Sequence, residues 1–242
     1  MRLLVTRPDE DASPLIAALE AMGHQAFHMP LLSVRYLPDA VIPSRAWQAL
    51  LITSANGVRA LSARREAAGL MHLPVYAVGE ASAAAARDAG FAQVMAAGGD
   101  VVSLAADVSA ALKPEGGALL HVAGSVLAGD LKGLLEASGF SVERAVLYEA
   151  DVATQLPADG RALIAGNGPE DGIDGVLFFS PRTATTFVML VLEAGLGARM
   201  AGLTAFCLSQ AVADALAPLT FGRIAVSATP TQAALVSLTA RG

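Results

Sequence analysis

Two stretches of the chain carry the residue types that bind anions. In Ala49 to Leu61, ALLITSANGVRAL, an apolar run ends in Thr53 and Ser54, and in Gly175 to Phe187, GVLFFSPRTATTF, a similar run ends in Ser180. A helical pattern follows each, as in a buried parallel strand that turns directly into a helix. The helix N-terminus presents free backbone N–H groups and the positive end of its dipole. Hydroxyls placed there shape a site for an anionic ligand, although Ser and Thr also serve there as ordinary caps. The two roles are compatible. Arg182, just beyond Ser180, either joins such a site or stays in solvent.

The elements that must position these turns follow from periodicity and punctuation. Arg2 to Thr6 is a strand, Arg7 to Asp11 a turn, and Ser13-Pro14 the start of a helix that stops at Gly23. His24 to Leu32 is a second strand continuing through Val34 and Tyr36 towards a proline-containing linker from Leu37 to Pro43. The first repeated turn opens a helix to about Ala68. Strand–turn–helix steps then follow at Pro74 to Gly90 and Ala92 to Leu112, with Pro114-Glu115-Gly116-Gly117 as mid-chain punctuation. Ala118 to Val122 is a strand, Leu127 to Ser138 a helix, Val142 to Tyr148 a strand and Asp159 to Ala165 a short helix. GNGPEDGIDG then leads into the second repeated turn.

These steps form a duplication. VYAVGEASAAAARDAGF from Val75 matches AFCLSQAVADALAPLTF from Ala205, and Ala92 to Leu112 matches Arg223 to Thr239. RLLVTRP and GHQAFHMPLL match LLHVAGS and GFSVERAVLY. The pattern predicts two α/β units of about four strand–helix steps each. Ligands of open α/β sheets bind at the carboxyl ends of strands. That places Thr6, Ser54, Gly79, Ser125, Ser180, Ser209 and Thr229 on ligand-facing edges.

Composition narrows the class. The chain has 242 residues, 54% hydrophobic and 16% charged, enough for a large core and against disorder. The net charge of −6 and the lack of a basic run argue against nucleic acid as a partner. No window reaches the ~18 uncharged apolar residues of a membrane span; Phe187 to Leu203 is interrupted by Glu193 and Arg199. The start, MRLLVTRPDEDAS, turns acidic after a short apolar run, unlike a signal peptide, so a soluble cytoplasmic protein is expected. Cys207 is the single cysteine and reads as a core filler. His24, His28, His72 and His121 lie on separate elements without metal-ligand spacing, which points to structural or surface roles.

The ordered set of turns resembles the uroporphyrinogen-III synthase family over nearly the whole chain. The residues carrying the likeness are VTRP at Val5 to Pro8, LLITSANGV at Leu50 to Val58 and VYAVGEAS at Val75 to Ser82. LLHVAGS at Leu119 to Ser125, AVLYEA at Ala145 to Ala150, FFSPRTA at Phe178 to Ala184 and the terminal TPTQAAL complete it. The resemblance implies two flavodoxin-like parallel-sheet domains joined by a two-stranded β-ladder, the second inserted into the first. Carried over, residues 1–37 and 156–242 form one domain, 38–147 the other, with ladder linkers at about 30–37 and 146–154.

The implied reaction takes hydroxymethylbilane, a linear carboxylate-rich tetrapyrrole. It loses water and closes the ring with inversion of the last pyrrole, through a spiro intermediate and without a cofactor or metal. The pyrrole nitrogens expel the leaving group, so the enzyme's task is mainly proximity and orientation. Tyr148 matches the family's tyrosine on the ladder strand, a proton donor to the departing hydroxyl; otherwise it is a half-buried strand tyrosine. Arg7 matches the family's TRP turn and would pair with substrate carboxylates, or else with Asp9 or Glu10. Leu208-Ser209-Gln210 departs from the family pattern of glycine and threonines, leaving Ser209 as the one hydroxyl there. Trp47 reads as a packing anchor. A monomer is expected. A binding module that closes on a small anion without chemistry is the competing reading; a nucleotide-dependent transferase lacks any GxGxxG or Walker-type loop.

Overall fold

The computed structural model describes residues 1–127, 129–166 and 172–241. In chain order the elements begin with β1 (Arg2–Val5), α1 (Asp9–Ala21), β2 (Gln25–His28) and β3 (Leu32–Tyr36). Next come β4 (Trp47–Ile52), α2 (Ala55–Ser62), α3 (Ala67–Leu70), β5 (Val75–Ala77), α4 (Glu80–Asp88), β6 (Val94–Ala96) and α5 (Val101–Ala111). They are followed by β7 (Ala118–Gly124), α6 (Leu131–Ala137), β8 (Val142–Val152) and α7 (Ala158–Ala165). The last are β9 (Gly175–Phe178), α8 (Pro181–Glu193), β10 (Thr204–Cys207), α9 (Gln210–Asp214), β11 (Arg223–Val226) and α10 (Gln232–Ser237).

The chain divides into two compact units, Met1–Ser33 with Asp151–Gly242, and Val34–Ala150. The first is built on a parallel sheet in the order β11-β10-β9-β1-β2. Its middle strands are buried on both faces, as parallel strands covered by helices must be. Val176 and Phe178 face a core with Phe187 and Val191 of α8 and Val212 of α9, where the Phe178 and Phe187 rings meet edge-on at 5.0 Å. Leu177 points the other way, towards Leu15 and Leu19 of α1 and Leu235 of α10.

The second unit contains most of a sheet in the order β3-β8-β7-β4-β5-β6, parallel from β8 to β6. One face packs on α2, α3 and α4 through Val58, Leu61, Leu70 and Ala83. The other packs on α5 and α6 through Leu104, Val108, Leu131 and Leu135. β3 and β8 form the expected two-stranded ladder. Within the second unit Leu37 N–H donates to the Leu147 carbonyl at 2.8 Å, and within the first Ala153 N–H donates to the Leu31 carbonyl at 3.0 Å. The partner numbers run in opposite directions, so the ladder is antiparallel.

Under the sequence duplication, β8-β7-β4-β5-β6 corresponds strand for strand to β2-β1-β9-β10-β11. The two sheets therefore share one spatial order while their chain order is cyclically permuted. In each, the direction of winding reverses at one place, between β1 and β9 in the first unit and between β7 and β4 in the second. Those are the switch points at which open α/β sheets bind ligands.

Several local expectations are corrected. α1 begins at Asp9, with Asp9, Glu10 and Asp11 in its first turn and Pro14 inside it. The acidic turn matches the helix dipole, whereas Pro14, lacking an N–H, removes one i→i−4 hydrogen bond and crowds the Glu10 carbonyl. The strand expected from His24 through Tyr36 is two strands in different sheets, broken at Met29-Pro30-Leu31. The helix after Ser54 ends at Ser62 and a separate turn, α3, follows. α6 starts at Leu131, capped by the Asp130 carboxylate accepting from Gly133 N–H at 2.9 Å, and not at Leu127. Asn167 to Asp171 of the glycine-rich stretch, and Ala128, lie outside the described residues. Cys207 is buried, its thiol pushed up to about 12 by desolvation. Trp47 starts β4 and packs in the core, with the Arg45 guanidinium 5.4 Å from its ring centroid.

Candidate active site

The carboxyl edge of the first sheet gathers five of the candidate residues. Arg7 follows β1 and stacks 4.3 Å above the ring of Phe179, which follows β9, so one cation–π contact spans the switch point. The same guanidinium pairs with Asp11 at 3.1 Å and donates to Gln232 Oε1 at 2.8 Å. Its acidic partner is thus Asp11, in the first turn of α1, and not Asp9 or Glu10. Ser180 is the N-cap of α8: its Oγ accepts from Thr183 N–H at 3.1 Å and lies 2.8 Å from Thr183 Oγ1. Arg182 is half-buried in the first turn of that helix. Ser209 occupies the N-cap position of α9 but makes no side-chain cap bond. Thr229 is exposed and lies beside the true cap of α10, Thr231, which accepts from Ala234 N–H at 3.3 Å. Thr6 is corrected: it is fully buried and donates inward to the Leu177 carbonyl at 2.8 Å, so it fastens β1 to β9.

The edge of the second sheet holds the remainder. Ser54 caps α2, its Oγ accepting from Asn56 N–H at 3.2 Å. Thr53 Oγ1 lies 3.2 Å from His121 Nε2 on the neighbouring strand β7. Gly79 holds the N-cap position of α4 in extended backbone, with no side chain to shield the helix N–H groups. Ser125 is exposed just past β7, where its N–H donates to the Tyr148 carbonyl at 3.0 Å. Arg144 donates to the Gly124 carbonyl and, at 2.8 Å, to that of Ser125.

Tyr148 reaches this edge because β8 bulges. Ala123 pairs with Val146 and Gly124 with Tyr148, so Leu147 is an extra residue and the alternation of faces is reset. Leu147 and Tyr148 consequently both join the core beneath α2. Bulges re-aim side chains in this way. The ring lies between two glycines: a Cβ on Gly124 would come within 2.7 Å of one ring edge, and one on Gly57 within 3.8 Å of Cε1 on the other. Gly57 is in the first turn of α2, so the phenol lies beside the helix N-terminus that Ser54 caps.

Charge selects among the helix N-termini. Acidic residues occupy the first turn of α1, and the Asp100 carboxylate caps α5, accepting from Val102 and Ser103 N–H at 2.9 and 2.8 Å. Those bonds, led by Ser103, hold the Asp100 carboxyl below the usual carboxylate range. Glu80 opens α4 and Asp130 caps α6. α2 and α8, the helices of the repeated turn, have a neutral hydroxyl residue at the N-cap and no acid in the first turn, as do the shorter α9 and α10. N-termini of this kind suit an anion, and of the four only those of α2 and α8 belong to helices of eight residues or more.

His121 is 1% exposed. Burial, with the Arg144 charge second, lowers its imidazole to about 4 from an ordinary 6.5. Folded protein therefore keeps the ring neutral over a range in which unfolded chain binds a proton. Its contribution to stability is complete above pH ~6.5 and is lost as pH falls towards about 4. Thermal unfolding across that window should show a steeper loss of Tm with acid for the parent than for His121→Gln. Parallel curves would contradict it.

Fold and site together define a two-unit, parallel-sheet α/β protein with hydroxyl-capped helix N-termini at the switch point of each sheet. The family model for uroporphyrinogen-III synthase HemD matches residues 13–237. The chain belongs to the uroporphyrinogen-III synthase family. It is similar in structure to the uroporphyrinogen-III synthetase of Helicobacter pylori, with TM-score 0.65, 19% identity and coverage of 99% of this chain and 98% of that one. It is also similar to a mutant uroporphyrinogen III synthase of the extremely thermophilic bacterium Thermus thermophilus, with TM-score 0.59, 17% identity and coverage of 100% and 98%. At these identities the structural likeness carries the fold. No curated protein sequence matches the chain. Among the described residues no helix is long and apolar enough to cross a membrane.

Proposed function

We propose that the protein cyclises hydroxymethylbilane, with loss of water and inversion of the last pyrrole through a spiro intermediate, to give uroporphyrinogen III. The observation that carries this reading is the family match over residues 13–237. The geometry gives it a chemical form. Helix N-termini at α2 and α8, with Thr53, Ser54, Ser180 and Arg182 beside them, donate to substrate carboxylates. Gly79, Ser125, Ser209, Thr229 and Arg7 lie on the same two strand edges as further contacts.

The Tyr148 phenol donates a proton to the departing hydroxyl. A pyrrole nitrogen pushes that group out as water, and the substituted carbon of the last pyrrole attacks the resulting cation to form the spiro intermediate. The older bridge bond at that carbon then breaks and re-forms at the pyrrole's free position, which loses its proton. Most of the rate comes from holding the chain folded for that attack. The protein acts as a cytoplasmic monomer on this small molecule. Fresh hydroxymethylbilane incubated with the protein should yield mainly type III porphyrin after oxidation, against type I without it. Type I in both tubes, from folded protein, rejects the reading.

A further inference from the structure

Thr53 and His121 are 68 positions apart in the chain yet meet across β4 and β7, Oγ1 to Nε2 at 3.2 Å. The other ring nitrogen, Nδ1, is buried with no hydrogen-bond partner. A neutral imidazole has one N–H and one bare nitrogen, so two arrangements satisfy the contact. With the proton on Nδ1, Thr53 donates its only proton inward, and a buried N–H is left without an acceptor. With the proton on Nε2, the ring donates to Thr53 Oγ1, and the unpaired atom is a lone pair.

Two observations favour the second arrangement. Buried N–H groups without acceptors are rarer in folded proteins than unsatisfied acceptors. In addition, Arg144 is the cross-strand partner of His121, and its own Nε is buried without an acceptor. A bare Nδ1 complements that permanent cation, whereas a second N–H opposes it. Thr53 itself is half-buried, so its free proton has a direction in which to go.

We infer that His121 is a positioning residue: held as the Nε2–H tautomer, it donates to Thr53 Oγ1 and turns the threonine hydroxyl proton outward, as a donor to a substrate carboxylate at the N-terminus of α2. The Ser54 oxygen already accepts from Asn56 N–H, so the pair presents two oriented hydroxyls at one helix end. The identity of the ligand rests on the proposed function; the tautomer does not.

The test has two arms. Nitrogen NMR of protein carrying isotope-labelled histidine, with the His121 signals assigned by their loss in His121→Gln, should show Nε2 protonated and Nδ1 bare. The reverse tautomer overturns the inference, whatever the protein's activity. In steady-state kinetics, His121→Leu should raise KM for hydroxymethylbilane roughly tenfold, the effect of one lost donor to a charged group, with kcat little changed. Thr53→Val should match it, and the double variant should add nothing. His121→Gln, which keeps an N–H donor, should recover part of the loss. A folded His121→Leu variant with unchanged KM also overturns the inference. A parent protein that makes no type III product rejects the proposed function instead, and the NMR arm still decides the tautomer.

Discussion

Tyr148→Phe should slow ring closure by roughly one to two orders of magnitude, the range that a positioned general acid supplies. The substitution removes one oxygen and leaves the ring in its slot between Gly57 and Gly124. No hydrogen bond ties the phenol to another described residue, so its deletion leaves no partner unsatisfied. Thermal stability should therefore stay close to that of the parent while kcat falls, with the type III isomer still the product. An unchanged kcat would remove Tyr148 from the chemistry and return it to a packing role.

The second large effect falls on a residue with no functional group. Gly124→Ala places a methyl 2.7 Å from Cε2 and Cζ of Tyr148 and 3.0 Å from its hydroxyl oxygen. The ring is in the core of the second unit, so relieving that contact requires it to shift among packed neighbours. Overpacking of this kind costs about 1–3 kcal/mol. Turnover should fall at least as far as in Tyr148→Phe, because the whole ring moves. Adding Tyr148→Ala to Gly124→Ala should recover stability relative to the sum of the single effects, the sign of direct contact. Chemical denaturation and kcat on the same samples check both points; parental values in each would show that the slot is loose.

What the sequence disclosed depended on how local the cause was. The repeated turn is legible because two buried strands and two hydroxyl caps are each specified within about ten residues. Ser54 and Ser180 cap as their position predicts. Thr6 misleads because the same residue type at the same place can bond inward, and only the pairing of β1 with β9 decides that. The bulge at Leu147 leaves no mark in a run of large apolar residues, yet it determines where Tyr148 points. Arg7 on Phe179 and Thr53 on His121 are contacts between neighbouring strands distant in the chain, so neither residue type nor spacing announces them. Ser209 and Thr229 are marked by position alone, and neither caps a helix through its side chain.

The cyclic permutation of the two sheets has a consequence for biosynthesis. All strands from β4 to β8 lie in one continuous stretch, so the second unit can close its core as soon as that stretch leaves the ribosome. The first unit cannot. Its inner strand β1 finds β2 early, but a two-stranded sheet is marginal on its own. Its other neighbour, β9, is held by the Thr6–Leu177 bond across 171 positions. Until β9 is made, Leu3, Leu4 and Val5, all fully buried in the finished protein, remain on an open strand edge. Translation therefore produces a finished domain and an unfinished one in the same chain. The interval between them is when aggregation threatens and when a chaperone would have most to hold.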